Sequence, residues 1–286
     1  MKVDRLPMNP IIRPHMDGRM GHNINGPSLI RVPDWLPNPL GKYYLYFAHH
    51  RGDYIRLAYA DELGGPWKMH EPGTLRLESA HCIDHVASPD IHVDEENRTI
   101  RMYYHGVSSE GGQRSHVALS DDGIGFTAHP EPLGTPYFRA FTWRGSHYAL
   151  AMRGIFFRSP DGLRGFETGP TLFSPHMRHL AVRILGETLH VFYSNAGDCP
   201  ERILHAAVEM GDDWLKWTAS EPDLVIEPEE SYEGAALPLK PSVRGLAPEP
   251  VRELRDPAIF EEDGQVYLLY SVAGEQGIAI ARLSGP

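Results

Sequence analysis

Three acidic residues, Asp90, Glu233 and Asp256, stand where a carboxyl group could do chemistry. Asp90 belongs to Ser88-Pro89-Asp90-Ile91 and Asp256 to Arg255-Asp256-Pro257, each at the approach to a short apolar run, so the two occupy nearly equivalent positions. Glu233 lies in SYEGAALPLKPS, within the long connection from Ile226 to Glu253. Long ordered connections in compact domains often carry function. Two carboxyl groups facing one pocket meet the minimum for cleaving a glycosidic bond, since one must protonate the departing oxygen while the other activates water or attacks carbon. Other polar residues precede similar runs: His22, Asn23 and Asn25; Asp84 and His85; Tyr137 and Arg139; His176, Arg178 and His179; and Arg255. One polar residue at a strand edge is ordinary. Five successive strand approaches that are all polar predict a shared site.

Residues so far apart can meet only if the fold brings equivalent strand ends to one axis. The stretch from Glu253 to Leu283 shows the unit that does so: PAIF, QVYLLYS and GIAIARL are strand-length runs separated by the turn-forming clusters EEDG and AGEQ. Asp263-Gly264 suits a tight hairpin, because glycine accepts the positive φ such turns require. The pattern recurs from Pro27, Ser88, Tyr137 and His179. About five copies at this period predict an all-β, five-bladed β-propeller, residues 1–286 forming one domain. Trp67 to Leu77, Phe126 to Leu133, Phe166 to Phe173 and Trp217 to Ile226 read as outer fourth strands. The last copy has none, and the N-terminal segment Asn9 to Pro14 is expected to supply it and close the ring, removing open sheet edges.

The net charge of -11 disfavours nucleic acid, which would require a basic face. Hydrophobic and charged fractions of 41% and 23% are those of a soluble globular protein. No stretch has the length of a membrane span or a signal sequence, so a cytoplasmic location is expected. Cys82 and Cys199 offer neither a disulfide framework nor metal-site spacing. Of the 16 histidines, His22, His85, His105 and His179 are expected to approach the axis. A neutral imidazole can act as base or metal ligand, but no metal-binding spacing is present, and neither metal nor cofactor is expected.

These residues resemble the five-bladed propeller glycosidases of the family 43 clan, with relatives in families 32, 62, 68, 117 and 130. Ser88-Pro89-Asp90-Ile91 matches the clan's second-blade motif, which by resemblance gives Asp90 the role of tuning and orienting the general acid. Arg255-Asp256-Pro257 is similar to the Arg-Asp-Pro of related families, where the aspartate stabilises the transition state through sugar hydroxyls. Glu233 would by the same resemblance be the general acid. The chain departs from the pattern in blade one, where Asn25-Gly26-Pro27-Ser28 lacks the usual basic aspartate. Either Asp256 or a histidine takes that role, or the protein is not a hydrolase.

The resulting expectation is a glycoside hydrolase acting on the end of a small oligosaccharide. Asp90, Glu233 and Asp256 are its carboxylates, and His22, Asn25, His85, Arg139, His179 and Arg255 contact substrate. Arg139, Arg153, Arg178, Arg183 and Arg255 fall on or beside inner strands. If several line the cavity, an anionic sugar follows, because guanidinium binds carboxylate in paired hydrogen bonds. A phosphorylase, a lyase or a non-catalytic sugar-binding propeller would use the same scaffold.

Overall fold

Five antiparallel sheets form a five-bladed β-propeller in a computed structural model that describes residues 1–285. Blade one contains Asn25–Arg31, Tyr43–Ala48, Arg56–Ala60 and Lys68–His70. Blade two contains Ala87–Asp94, Thr99–Val107, Gln113–Ser120 and Thr127–Ala128. Blade three runs from Arg139–Trp143 through Ser146–Ala151 and Ile155–Ser159 to Glu167–Thr171. In blade four, Met177–Leu185, Thr188–Asn195 and Ile203–Glu209 are flanked by both Thr218–Ala219 and Asp223–Ile226. Blade five contains Arg255–Glu262, Gln265–Ser271 and Ile278–Ser284.

The ring closes through the N-terminus as expected, but its outer strand lies mainly upstream of the expected segment. Lys2–Arg5 pairs antiparallel with the third strand of blade five, from Lys2 opposite Ser284 to Arg5 opposite Ala281. Asn9 to Pro14 contains two prolines, which lack the N–H a ladder needs. It pairs with the third strand of blade five at a single antiparallel bridge, Ile12 with Ile278, and otherwise serves as a plug. Ile12 is fully buried between blades one and five, and Asn9 bonds both backbone groups of Ile280 through its side chain.

The core lies between blades rather than inside a single layer. Each neighbouring pair of sheets encloses its own apolar cluster: one and five around Leu45 and Leu269, one and two around Tyr104, two and three around Phe138, three and four around Trp217, four and five around Leu268. Side chains alternate across each strand, so one face meets the preceding blade and the other the following blade. The hairpins match their sequences: Asp263-Gly264 and Arg144-Gly145 both have positive φ at both positions, the geometry of a two-residue turn. No helix among the described residues is long and apolar enough to cross a membrane.

A bulge at the start of the inner strands aims residues at the axis. In blades one, two, four and five, three steps along the first strand face two steps along the second, as in Arg255 opposite Ser271 and then Ala258 opposite Leu269. An extra residue of this kind bends the strand and redirects a side chain. The bulged residues Gly26, Ser88 and Asp256 all have left-handed φ, at 61°, 51° and 47°. Asp256 therefore corresponds to Ser88, whereas Asp90 corresponds to Ala258. The expected equivalence of the two aspartates is corrected by two positions.

Candidate active site

A cavity of about 410 Å³ lies on the axis, where the inner strands converge. Asp256 lines it from blade five, 2% exposed, and its left-handed backbone presents the side chain there. Oδ1 accepts a hydrogen bond from the Tyr137 hydroxyl at 3.0 Å, with His179 Nε2 3.5 Å away, and Oδ2 accepts from Ser271 Oγ at 3.2 Å. Burial pushes this carboxyl up, and neighbouring Glu275 adds to the effect, outweighing Arg178, Tyr137 and Arg255. A carboxyl with a raised pKa in a cavity has the character of a proton donor.

Tyr137 is fixed by a chain of contacts leading away from the cavity. The Arg139 guanidinium sits 4.2 Å from the centre of its ring and donates to the carbonyls of Ser88 and Phe138. Arg139 Nε is 4.0 Å from Asp90 Oδ1. Asp90 Oδ2 accepts from the Ala140 N–H at 2.8 Å and pairs with His92 Nε2 at 2.8 Å. Burial raises the Asp90 carboxyl, but His92 and Arg139 outweigh it and hold the group below its ordinary value. Asp90 thus acts between blades two and three and supports the Arg139–Tyr137 stack from behind; it does not line the cavity.

Glu233 is placed elsewhere. It ends a single turn, Ser231–Glu233, and is fully buried. One oxygen accepts from Arg5 Nε and the Tyr270 hydroxyl, both at 2.8 Å. The other accepts from Arg5 Nη2 and the N–H groups of Glu229 and Glu230. With its acceptor sites occupied and its position under the N-terminal strand, Glu233 is a clasp that ties the ring closure to the long connection. The expected general acid is therefore not at the cavity.

The second carboxylate of the cavity is Glu275, in the turn AGEQ, which the sequence marked only as a strand separator. Oε1 accepts from Arg255 Nη1 at 2.8 Å and lies 3.3 Å from His50 Nδ1; Oε2 accepts from Asn23 Nδ2 at 2.5 Å. Burial pushes Glu275 up, but His50, Arg255 and Asn23 prevail and hold it down at about 2. Two carboxyl groups in one cavity are thus driven in opposite directions.

Among the expected substrate contacts, Asn25, His85 and His179 line the cavity. Arg255 is buried behind Glu275, and Arg139 behind Tyr137. His22 stands away from the cavity lining, edge-on to His15. Burial pushes the imidazoles of His105 and His179 well below their ordinary value, which keeps them neutral. Arg153 and Arg244 also line the cavity; Arg153 is exposed there on a left-handed backbone with φ of 67°. The long connection reaches the site through Arg244 and Gly245, fastened by Arg178 to the carbonyls of Val243 and Gly245. Among the described residues no cluster of three His, Cys, Asp or Glu side chains has the geometry of a metal site.

No protein-family model matches the chain. It is 38% identical over 320 residues to the uncharacterized protein R118 of Acanthamoeba polyphaga mimivirus, an alignment covering 98% of this chain and 90% of that protein. Among solved structures it is similar to a GH43 beta-xylosidase/alpha-arabinofuranosidase from a compost microbial metagenome, in complex with xylotriose: TM-score 0.66, 15% identity, 100% of this chain and 96% of that one. A GH43 enzyme of Xanthomonas citri complexed with xylose gives a TM-score of 0.64 at 14% identity, over 96% of this chain and 91% of that one. At such identities the likeness is one of fold, that of a five-bladed β-propeller.

Proposed function

The chain belongs to the family of the mimivirus protein R118, and for its family 43 type propeller we propose a glycoside hydrolase acting on the terminal sugar of a small anionic oligosaccharide. The observation that carries this reading is Asp256, a buried carboxyl with a raised pKa facing the axial cavity and hydrogen-bonded by Tyr137 and Ser271. In this role it protonates the departing glycosidic oxygen. A volume of about 410 Å³ lies within the range of small-molecule pockets, which suits a chain end. Arg153 and Arg244 at its wall would pair with a substrate carboxylate. Substrate contact is assigned to Asn25, His85 and His179, while Asp90, Arg139 and Arg255 hold the groups that touch it.

The same arginines and neutral histidines favour a second reading, phosphorolysis, in which bound phosphate replaces water. One experiment separates the possibilities. Neutral and uronate-containing oligosaccharides are incubated with and without inorganic phosphate, and products are analysed by chromatography with ultraviolet detection. Hydrolysis releases a free terminal sugar without phosphate. A sugar phosphate, an unsaturated ultraviolet-absorbing product, or binding with no turnover would each replace this reading, by a phosphorylase, a lyase or a binding protein respectively.

A further inference from the structure

We propose that His50, oriented by Glu275, is the general base that blade one otherwise lacks. The inference rests on the hydrolase reading and adds the second half of its chemistry. At Gly26, where the resemblance to family 43 calls for an aspartate, there is no side chain, and one added there would crowd blade two. The glycine has φ of 61°, and a Cβ added there would lie 3.0 Å from Ser88 Cα. The same blade offers another group.

His50 follows the second strand of blade one and lines the cavity with its side chain 31% exposed. Its backbone N–H donates to Asn23 Oδ1 at 2.7 Å. The Asn23 amide donates in turn to Glu275 Oε2, so one asparagine fixes both the histidine backbone and the carboxylate. Nδ1 faces Glu275 Oε1 at 3.3 Å. A carboxylate opposite Nδ1 selects the tautomer with the proton on Nδ1 and leaves the Nε2 lone pair available, the arrangement by which a carboxylate makes histidine a base. Glu275 can orient the ring in this way because it is 1% exposed and held by Arg255, which makes it a fixed anion. Asn25 at the cavity wall donates to the same Asn23 oxygen, so blade one presents one connected polar wall.

In the reaction, a water oxygen attacks the anomeric carbon as the glycosidic C–O bond breaks. The water proton passes to His50 Nε2, and the carboxyl proton of Asp256 passes to the departing oxygen. Glu275 stabilises the imidazolium that forms, and both groups exchange protons with solvent to reset. Attack opposite the leaving group inverts the anomeric carbon. His50 is a catalytic residue in this scheme, and Glu275 is a positioning residue that acts through it.

The test uses the full chain and 4-nitrophenyl glycosides of neutral and uronic sugars, with thermal melting as the folding control. His50→Ala is expected to lose roughly 10²- to 10⁴-fold in kcat. Added azide, which attacks without needing deprotonation, restores release of nitrophenol and yields a glycosyl azide of inverted configuration. Glu275→Gln is expected to lower kcat by about 10-fold or more with KM little changed, and Glu275→Asp to recover part of that loss, a split that a merely structural role would not give. Besides Glu275, the ionisable groups around His50 are His49, His85, His105 and His179, all unchanged in those variants. Turnover in His50→Ala within about threefold of wild type, or a loss that azide does not rescue, overturns the dyad while leaving the hydrolase reading in place. If the wild-type chain releases sugar from none of these glycosides or from the oligosaccharides above, the hydrolase reading fails, and the dyad falls with it.

Discussion

Tyr137 donates its hydroxyl to Asp256 Oδ1 at 3.0 Å, linking the entrance of blade three to the bulge of blade five inside the axial cavity. The bond stabilises the ionised carboxylate against the burial that raises its pKa. Tyr137 itself stays protonated, because burial and the adjacent Asp256 push its phenol well above the ordinary value. Replacing it with phenylalanine removes the donor and leaves the ring.

In Tyr137→Phe the Asp256 carboxyl therefore rises further, and the alkaline limb of the kcat/KM profile, where the acid loses its proton, shifts to higher pH. A charge-assisted hydrogen bond of this kind corresponds to roughly 10- to 100-fold in kcat at neutral pH. An unshifted alkaline limb would separate Asp256 from proton donation.

Glu233→Gln tests the clasp. Gln keeps the shape but turns one acceptor into a donor opposite Arg5 and the N–H groups of Glu229 and Glu230. Breaking a buried, hydrogen-bonded ion pair costs about 3–5 kcal/mol. Urea unfolding should show that loss, while kcat at a temperature where the variant is folded stays near wild type. A stable but inactive Glu233→Gln would return this residue to the chemistry.

Acid stability has a separate, identifiable contributor. His116 is 1% exposed, stacks on Tyr104, and has neither ring nitrogen hydrogen-bonded; burial pushes it down to about 4. In the unfolded chain it takes a proton near pH ~6.5. Its folded pKa is depressed, so the stability it preserves above ~6.5 is lost as pH falls toward about 4. The slope is about 1.4 kcal/mol per pH unit. His116→Phe should flatten the stability curve over that window in urea titrations. An unchanged slope would exclude His116 as the source.

The blades were legible because each repeats a local signal: apolar alternation, a two-residue turn such as Asp263-Gly264, and an aromatic before the outer strand. The inward aim of the inner strand ends was legible for Asp256, whose motif sits at the bulge, and for Asn25, His85 and His179. Asp90 was misaligned because aspartate was matched to aspartate, whereas blades two and five share one bulge and align Pro89 with Pro257, which puts Asp90 two positions beyond Asp256. Glu233 was misplaced because nothing in SYEGAALPLKPS shows that Arg5 and Tyr270 will occupy its oxygens. His50 and Glu275 were missed for the converse reason. His50 looks like the end of the strand run KYYLYFAHH and Glu275 like a turn residue, and only closure of blade five onto blade one sets them 3.3 Å apart.

The most direct test of hydrolysis through Asp256 is the leaving-group dependence of Asp256→Asn. A 2,4-dinitrophenyl glycoside departs without protonation, whereas an alkyl or sugar leaving group requires it. The variant should lose at least ~10²-fold in kcat/KM on the oligosaccharide and only a few-fold on the dinitrophenyl glycoside of the same sugar. Equal losses on both substrates, or no loss on either, would contradict the role of Asp256 as the acid that frees the glycosidic oxygen.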